Sequence, residues 1–169
     1  MPDPKIFILC DFDPKGDFFA ERMRSYIAQE SGREVINIGE RCVHPNNFIN
    51  KWRRATHNLS LGIRSRRQIG PDDHVICWNQ NIGIAMALFW RLTGTGRNQK
   101  IYITCSTNTP IRRKPGVRHI LNYAFGSKNF RYFVANNKMD VWFTPEIYSN
   151  IRKDNKVTFM KFAREISTG

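Results

Sequence analysis

A cluster of acidic side chains and one glycine follows the first apolar run of the chain. The run Ile6–Cys10 is too short for a helix and rich in strand-forming residues, which predicts a buried strand. Residues 11–17 (DFDPKGD) have turn chemistry, and helical periodicity begins at Phe18. A strand that passes through a glycine-bearing turn into a helix is the first half of a βαβ unit, and the free N–H groups at the helix start favour an anionic ligand. We therefore expect the functional site at this loop.

The same loop permits phosphoryl chemistry. Asp11 and Asp13 resemble the aspartate pair of haloacid dehalogenase-like phosphatases, in which the first carboxylate is the nucleophile and the second is the general acid. That chemistry needs Thr or Val two residues beyond the second aspartate, and further acids at a later strand end to hold Mg²⁺. Lys15 occupies the first position, and residues 141–144 lack the acids. Turn capping is the commoner role for Asp13 and Asp17, and the phosphatase remains the third hypothesis.

The charge of the chain calls for an anionic partner. The 169 residues carry a formal net charge of +13, with a pI near 10.1. Between Glu40 and Asp140, the only carboxylates are those of Asp72 and Asp73. A basic surface without local neutralisation fits nucleic acid, acidic lipid or phosphorylated ligands. The sequence contains no recognised nucleic-acid fold signature, and a non-catalytic anion- or nucleic-acid-binding α/β module is the alternative to an enzyme.

One segment combines this positive charge with apolar residues. Five apolar residues recur at spacings of three and four, which predicts an amphipathic helix ending near residue 70: Phe48, Trp52, Ala55, Leu59 and Ile63. Basic side chains follow the other face, among them Lys51, Arg53 and Arg54. Because so few acids lie nearby, we expect this helix to contact an anion or an anionic membrane surface.

Other features bound the class of protein. No apolar run approaches the ~20 residues that a membrane helix needs, and the N-terminus lacks the basic region of a signal peptide. Cysteine and histidine show no CxxC or metal-like spacing, so we expect reduced, buried thiols, no metal and no cofactor; these residues are Cys10, Cys42, Cys77, Cys105, His44, His57, His74 and His119. The histidines are expected to be surface or core residues. The expected location is the cytoplasm, or the inner face of the membrane as a peripheral protein.

The order of the segments predicts the fold. Five apolar runs alternate with helical segments, at residues 6–10, 33–39, 73–78, 100–105 and 141–144, and a long helical stretch is predicted over residues 117–138. This alternation predicts a parallel, doubly wound α/β sheet of Rossmann type, with helices on both faces and strand order 3-2-1-4-5. Ligands of such sheets lie at the carboxyl ends of the strands, here near a switch point between strands one and four. Residues 1–150 form this domain, and residues 151–169 are a tail without a predicted place in the sheet.

Several segments resemble the N-terminal domain of the family-4 retaining glycosyltransferases, which have the GT-B fold. Residues 14–17 (PKGD) followed by Ala20-Glu21-Arg22 are similar to the glycine-rich turn and Ala-Glu-Arg helix that open that domain. Residues 32–35 (GREV) resemble the Gly-His-Glu-Val at its second strand, with Arg33 in place of the usual His. Residues 73–87, 100–107 and 141–146 resemble its third, fourth and fifth strands with the segments that follow them. The likeness covers roughly residues 5–150.

This resemblance implies an acceptor-side domain that works with a second domain presenting a nucleotide-sugar donor. Gly16, Asp17 and Ser106 would face the donor phosphates or the transferred sugar, and Arg112 and Arg113 would line the acceptor side. Ser106 stands where family members usually carry a His, and the first turn has one glycine instead of two. The 169 residues leave no room for the second Rossmann domain, which carries the paired glutamates. We therefore expect a donor bound through a second domain or chain, a membrane-associated acceptor, and no transferase activity from this chain alone.

Overall fold

The computed structural model describes residues 3–40, 48–94, 100–105, 116, 119–120, 123–124, 130–134 and 156–158. In these residues six parallel strands form one sheet: β1 Ile6–Cys10, β2 Val35–Gly39, β3 His74–Cys77, β4 Lys100–Cys105, β5 Phe130–Val134 and β6 Lys156–Thr158. The described helices are α1 Phe18–Ser31, α2 Phe48–Ser65 and α3 Gln80–Thr93. The predicted parallel α/β fold is confirmed. Within this part of the chain, every helix is too short or too polar to cross a membrane.

The strand order differs from the predicted one. The sheet runs β2-β1-β3-β4-β5-β6, so β3 lies between β1 and β4 and not at the outer edge. Ile6 of β1 pairs with Val35 of β2 on one side and with His74 of β3 on the other. All of β3 is buried, as expected for an interior strand of a parallel sheet. The predicted order 3-2-1-4-5 is wrong, and the switch point lies between β1 and β3.

The helix predicted over residues 117–138 was wrong at residues 130–134, which form a strand. Residues 130–134 form β5 and pair in parallel with β4, although the sequence predicted a helix over residues 117–138. The run FRYFV is rich in aromatic residues and ends in valine, a composition typical of strands. Lys156–Thr158 pairs with β5, so part of the predicted tail belongs to the sheet. The strand predicted at residues 141–144 lies outside the described residues.

Helices cover both faces of the sheet, as predicted for a doubly wound fold. On one face, Ile27 of α1 shares a buried cluster with Ile8 of β1. On the other face, Leu9 of the same strand shares a cluster with Leu61 of α2 and Met86 of α3. Alternate side chains of a strand point to opposite faces, so β1 contributes to both cores. A ligand is therefore expected at an end of the strands and not on a face of the sheet.

Buried polar groups organise the amino ends of the strands. His74 is 3% exposed, and its Nε2 accepts from Nη1 of Arg33 at 2.9 Å, because a guanidinium can only donate. The ring stacks on Tyr102, whose hydroxyl lies 3.5 Å from Nδ1. Burial, followed by the charges of Lys100 and Arg33, lowers the pKa of His74 to about 4, so the ring is neutral at pH 7. His74 is therefore a core histidine, one of the two roles expected from the sequence.

Candidate functional site

The ends of β1 and β3 bring two polar side chains together at the switch point. Nδ2 of Asn79, two residues beyond β3, donates to Oδ2 of Asp11 across 2.8 Å. Oδ1 of Asn79 accepts from the N–H of Asn81, so the same side chain caps α3. In the part of the chain that the structure describes, no donor is bonded to Oδ1 of Asp11. This oxygen can therefore accept a hydrogen bond from a ligand.

The loop after β1 is held by caps of its own. Oδ1 of Asp13 accepts from the N–H of Lys15 at 3.0 Å, and Oδ1 of Asp17 accepts from the N–H of Ala20 at 2.8 Å. Asp17 is the N-cap of α1, and the capping roles predicted for Asp13 and Asp17 are confirmed. Gly16 has a φ of +79°, which glycine adopts without strain. It is exposed, with no described atom within 4 Å of a Cβ position, so a ligand can approach its backbone.

The end of β2 supports this loop from the side. A Cβ at Gly39 would lie 2.3 Å from the carbonyl oxygen of Phe12 and 2.7 Å from Cδ of Pro14. Pro14 is buried although it lies in a loop. Because the nearest atom belongs to the backbone and cannot rotate away, only glycine permits this approach. The position of the loop after β1 therefore depends on Gly39, which belongs to no recognised sequence motif.

Aromatic side chains form one wall of the site. The ring of Trp78 packs edge to face against Phe12, with centroids 5.5 Å apart, and against Phe19 at 5.4 Å. Phe19 is 63% exposed, and the neighbouring Phe18 is 77% exposed. An apolar wall beside a few convergent polar groups is typical of ligand sites. Sequence reasoning missed Trp78 and Asn79, although a capping asparagine between an apolar strand and a helix was a signal for the second.

Negative charge dominates around the loop after β1. Asp11, Asp13, Asp17 and Glu21 lie in this loop and the first turn of α1, whereas α3 has no acidic residue in its first turn. Burial, followed by the charges of Asp11 and Asp17, raises the pKa of the Cys10 thiol to about 12. Because like charges repel, this loop suits a neutral ligand with hydroxyl donors better than a phosphate. The N-terminus of α3, with its uncharged cap, is the more favourable neighbour for an anion.

The site residues predicted from the sequence are distributed over three parts of the chain. Gly16 and Asp17 lie in the loop after β1, where they were expected. Ser106, Arg112 and Arg113 lie outside the described residues. The basic residues Lys51, Arg53 and Arg54 belong to α2, which covers the same face of the sheet as α3. The fold brings Asp11 and Asn79 together at the ends of β1 and β3. The sequence instead predicted a site between the ends of strands one and four.

Neither metal-binding geometry in the described part of the chain nor similarity to known proteins indicates a further functional site. Among the described residues, no group of three or more His, Cys, Asp or Glu side chains is arranged to hold a metal ion. No protein-family model matches the chain, and no curated protein matches it. The geometry at the switch point and the resemblance of the sequence segments are therefore the basis for assigning a function.

Proposed function

We propose that this chain is the acceptor-side domain of a GT-B glycosyltransferase, which works with a nucleotide-sugar donor held by a second domain or chain. The observation that carries the proposal is the pairing of Asp11 with Asn79 at the switch point, next to an exposed glycine turn and an aromatic wall. The parallel sheet with helices on both faces supports it, as does the order of the segments that resemble the family.

Each group at the site has a role in this proposal. Oδ1 of Asp11 accepts a hydrogen bond from a hydroxyl of the acceptor. A sugar ring carries hydroxyls around its rim and C–H groups on its faces, and the exposed ring of Phe19 beside Trp78 offers an apolar surface to such a face. The open backbone at Gly16 admits the sugar that is transferred. Ser106, which follows β4 in the sequence and lies outside the described residues, is assigned to the donor side by the resemblance to the family alone.

The role of Asp17 changes relative to the expectation from the family. Its carboxylate caps α1 and adds negative charge beside Gly16, which opposes the binding of donor phosphates. In the proposal, Asp17 therefore holds the turn at Gly16 in place. The phosphates are left to the donor-binding partner and to the N-terminus of α3, whose cap is uncharged.

The proposal is tested by an assay of sugar transfer with and without a second chain. The purified chain alone is expected to transfer no sugar from nucleotide-sugars, and transfer is expected when a donor-binding chain encoded beside it is co-expressed. In the active pair, Asp11→Asn is expected to lower transfer by about tenfold or more, because the amide is a poorer acceptor than the carboxylate. Asp3→Asn, an exposed carboxylate at the N-terminus, is the matched control.

Two outcomes contradict the proposal. Transfer by the purified chain alone, lost on substitution of Gly16 or Ser106, would show that no second chain is needed. Magnesium-dependent hydrolysis of phosphate esters, lost in Asp11→Asn, would assign the chain to the phosphatases instead.

A further inference from the structure

The outward face of α2 carries an apolar row on one flank and arginines on the other. Ala55, Leu59 and Ile63 form a row with a spacing of four residues, and all three are exposed, Leu59 and Ile63 by 40% each. Arg53 and Arg64 are also exposed, on the opposite flank of the helix, about 130° around its axis from this row. Three of the five apolar residues whose spacing predicted this helix therefore face away from the core.

The packed face of α2 explains why this row lies outside. The buried residues of the helix are Asn58, Leu61, Gly62 and Ser65. The Ser65 hydroxyl donates to the carbonyl oxygen of Leu61 at 2.8 Å, so its burial leaves no unpaired donor. A Cβ at Gly62 would lie 2.7 Å from Cγ of Met86 in α3, and α2 therefore approaches α3 closely. Of the larger apolar side chains described in this helix, Leu61 is buried, whereas Leu59 and Ile63 are left on the solvent side.

Positive charge on this side of the molecule lacks local neutralisation. The sequence contains no acidic residue between Glu40 and Asp72. Within the described residues, Arg64 pairs with Glu40 at 2.5 Å, and no carboxylate lies within ion-pair distance of Arg66 or Arg67, which follow the helix directly. These guanidinium groups are therefore available to an anionic partner.

We propose that the outward face of α2 docks on an anionic membrane surface. The row of Ala55, Leu59 and Ile63 enters the interface, and the arginines around it contact the lipid headgroups. Helices that carry apolar side chains beside a cationic face bind at membrane interfaces in this way. Nucleic acid would engage the arginines through its phosphates, but it would leave the apolar row without a partner. The inference does not rest on the proposed function, since docking needs neither donor nor acceptor.

The test measures sedimentation of the purified full chain with vesicles of phosphatidylcholine alone and of phosphatidylcholine with phosphatidylglycerol. We expect binding only to the vesicles with phosphatidylglycerol, and weaker binding as salt is raised. Leu59→Ser with Arg66→Gln is expected to weaken the partition constant by about tenfold or more. Tyr26→Ser with Arg22→Gln removes one exposed apolar side chain and one cation from α1, on the other face of the sheet, and is expected to leave binding unchanged.

Three results would overturn the inference. The first is an absence of binding to phosphatidylglycerol vesicles at low salt. The second is full binding by Leu59→Ser with Ile63→Ser, because the arginines would then act as a generic basic surface. The third is tighter binding to duplex DNA or single-stranded RNA than to the vesicles at physiological salt. None of these results bears on sugar transfer, so the two proposals fail separately.

Discussion

Nδ2 of Asn79 donates to Oδ2 of Asp11 across 2.8 Å, and this hydrogen bond joins the ends of β1 and β3 at the switch point of the sheet. The other end of the Asn79 amide caps α3. One side chain therefore fixes both the start of a helix and the orientation of the carboxylate that we assign to ligand binding. The strength of this arrangement can be measured without a known ligand.

Substitutions of Asn79 separate its two roles. Asn79→Ala removes the cap of α3 and the bond to Asp11, and is expected to lower the free energy of unfolding by about 1–3 kcal/mol. Asn79→Ser keeps a capping oxygen and loses only the bond, so it should cost less, about 1 kcal/mol. Urea denaturation of the three proteins measures the difference. Equal stabilities of wild type and Asn79→Ala would show that neither contact matters.

Two glycines of the helix pair differ in what an added methyl group would meet. A Cβ at Gly83 of α3 would lie 2.1 Å from Cδ1 of the fully buried Ile103, whereas a Cβ at Gly62 meets the flexible side chain of Met86 at 2.7 Å. Gly83→Ala is expected to destabilise the fold by about 1–3 kcal/mol, and Gly62→Ala by less, because methionine adapts its rotamers.

A double-mutant cycle tests this explanation for Gly83. In Gly83→Ala with Ile103→Ala, the clash is removed, so the double variant should be more stable than the sum of the single effects predicts. Additive effects of the two substitutions would mean that the loss of stability in Gly83→Ala is not caused by contact with Ile103.

The burial of His74 makes stability depend on pH. Its folded-state pKa of about 4 lies below the ordinary 6.5, so the unfolded chain binds this proton more readily. The contribution is full above pH 6.5, is lost as the pH falls toward 4, and amounts to on the order of 3 kcal/mol. His74→Gln keeps an acceptor for Arg33 without titrating in this range. The free energy of unfolding, measured by denaturation between pH 7 and 4, should therefore fall more steeply with decreasing pH in the wild type than in His74→Gln. Equal slopes for the two proteins would refute the assignment.

Two buried thiols should resist alkylation. Burial raises the pKa of Cys77 and of Cys10, the latter to about 12, and both are free and buried. Because the thiolate is the reactive species, iodoacetamide at neutral pH should label both residues slowly in the native protein and rapidly in urea. Peptide mass spectrometry after a labelling pulse distinguishes them from the other cysteines. Rapid native labelling of Cys10 would show that the loop after β1 opens or packs differently.

The strands illustrate how far the sequence could predict the fold. The apolar run at residues 73–78 located β3, but the order of strands depends on crossovers that local patterns do not encode. One signal was available in the sequence: the segment of β3 is apolar from Val75 to Trp78, whereas the segment of the edge strand β2 carries the polar residue Asn37 at its centre. The helix predicted over residues 117–138 included the segment of β5, whose β-favouring residues pair with β4 instead.

In the candidate site too, features set by neighbouring residues could be predicted, whereas contacts between residues far apart in the sequence could not. Gly16 and the capping residues Asp13 and Asp17 were identified from the turn pattern, because capping and positive φ are local properties. Asn79 was missed because it is 68 residues away from Asp11, and their contact follows from the adjacency of β1 and β3. For α2, the periodicity predicted a helix but not its packed face, which depends on the close approach at Gly62.

A titration with monosaccharides and nucleoside diphosphates as separate ligands, followed by the amide NMR resonances of the purified chain, tests directly whether the loop after β1 binds a sugar. We expect a sugar of the acceptor class to shift the backbone amides of Asp11 and Gly16, the indole of Trp78 and the side-chain amide of Asn79. Asp11→Asn should weaken these shifts, and Asp3→Asn should not. Shifts confined to α2 or to the amino ends of the strands would contradict the account. So would a nucleoside diphosphate that perturbs the loop after β1 more strongly than any sugar.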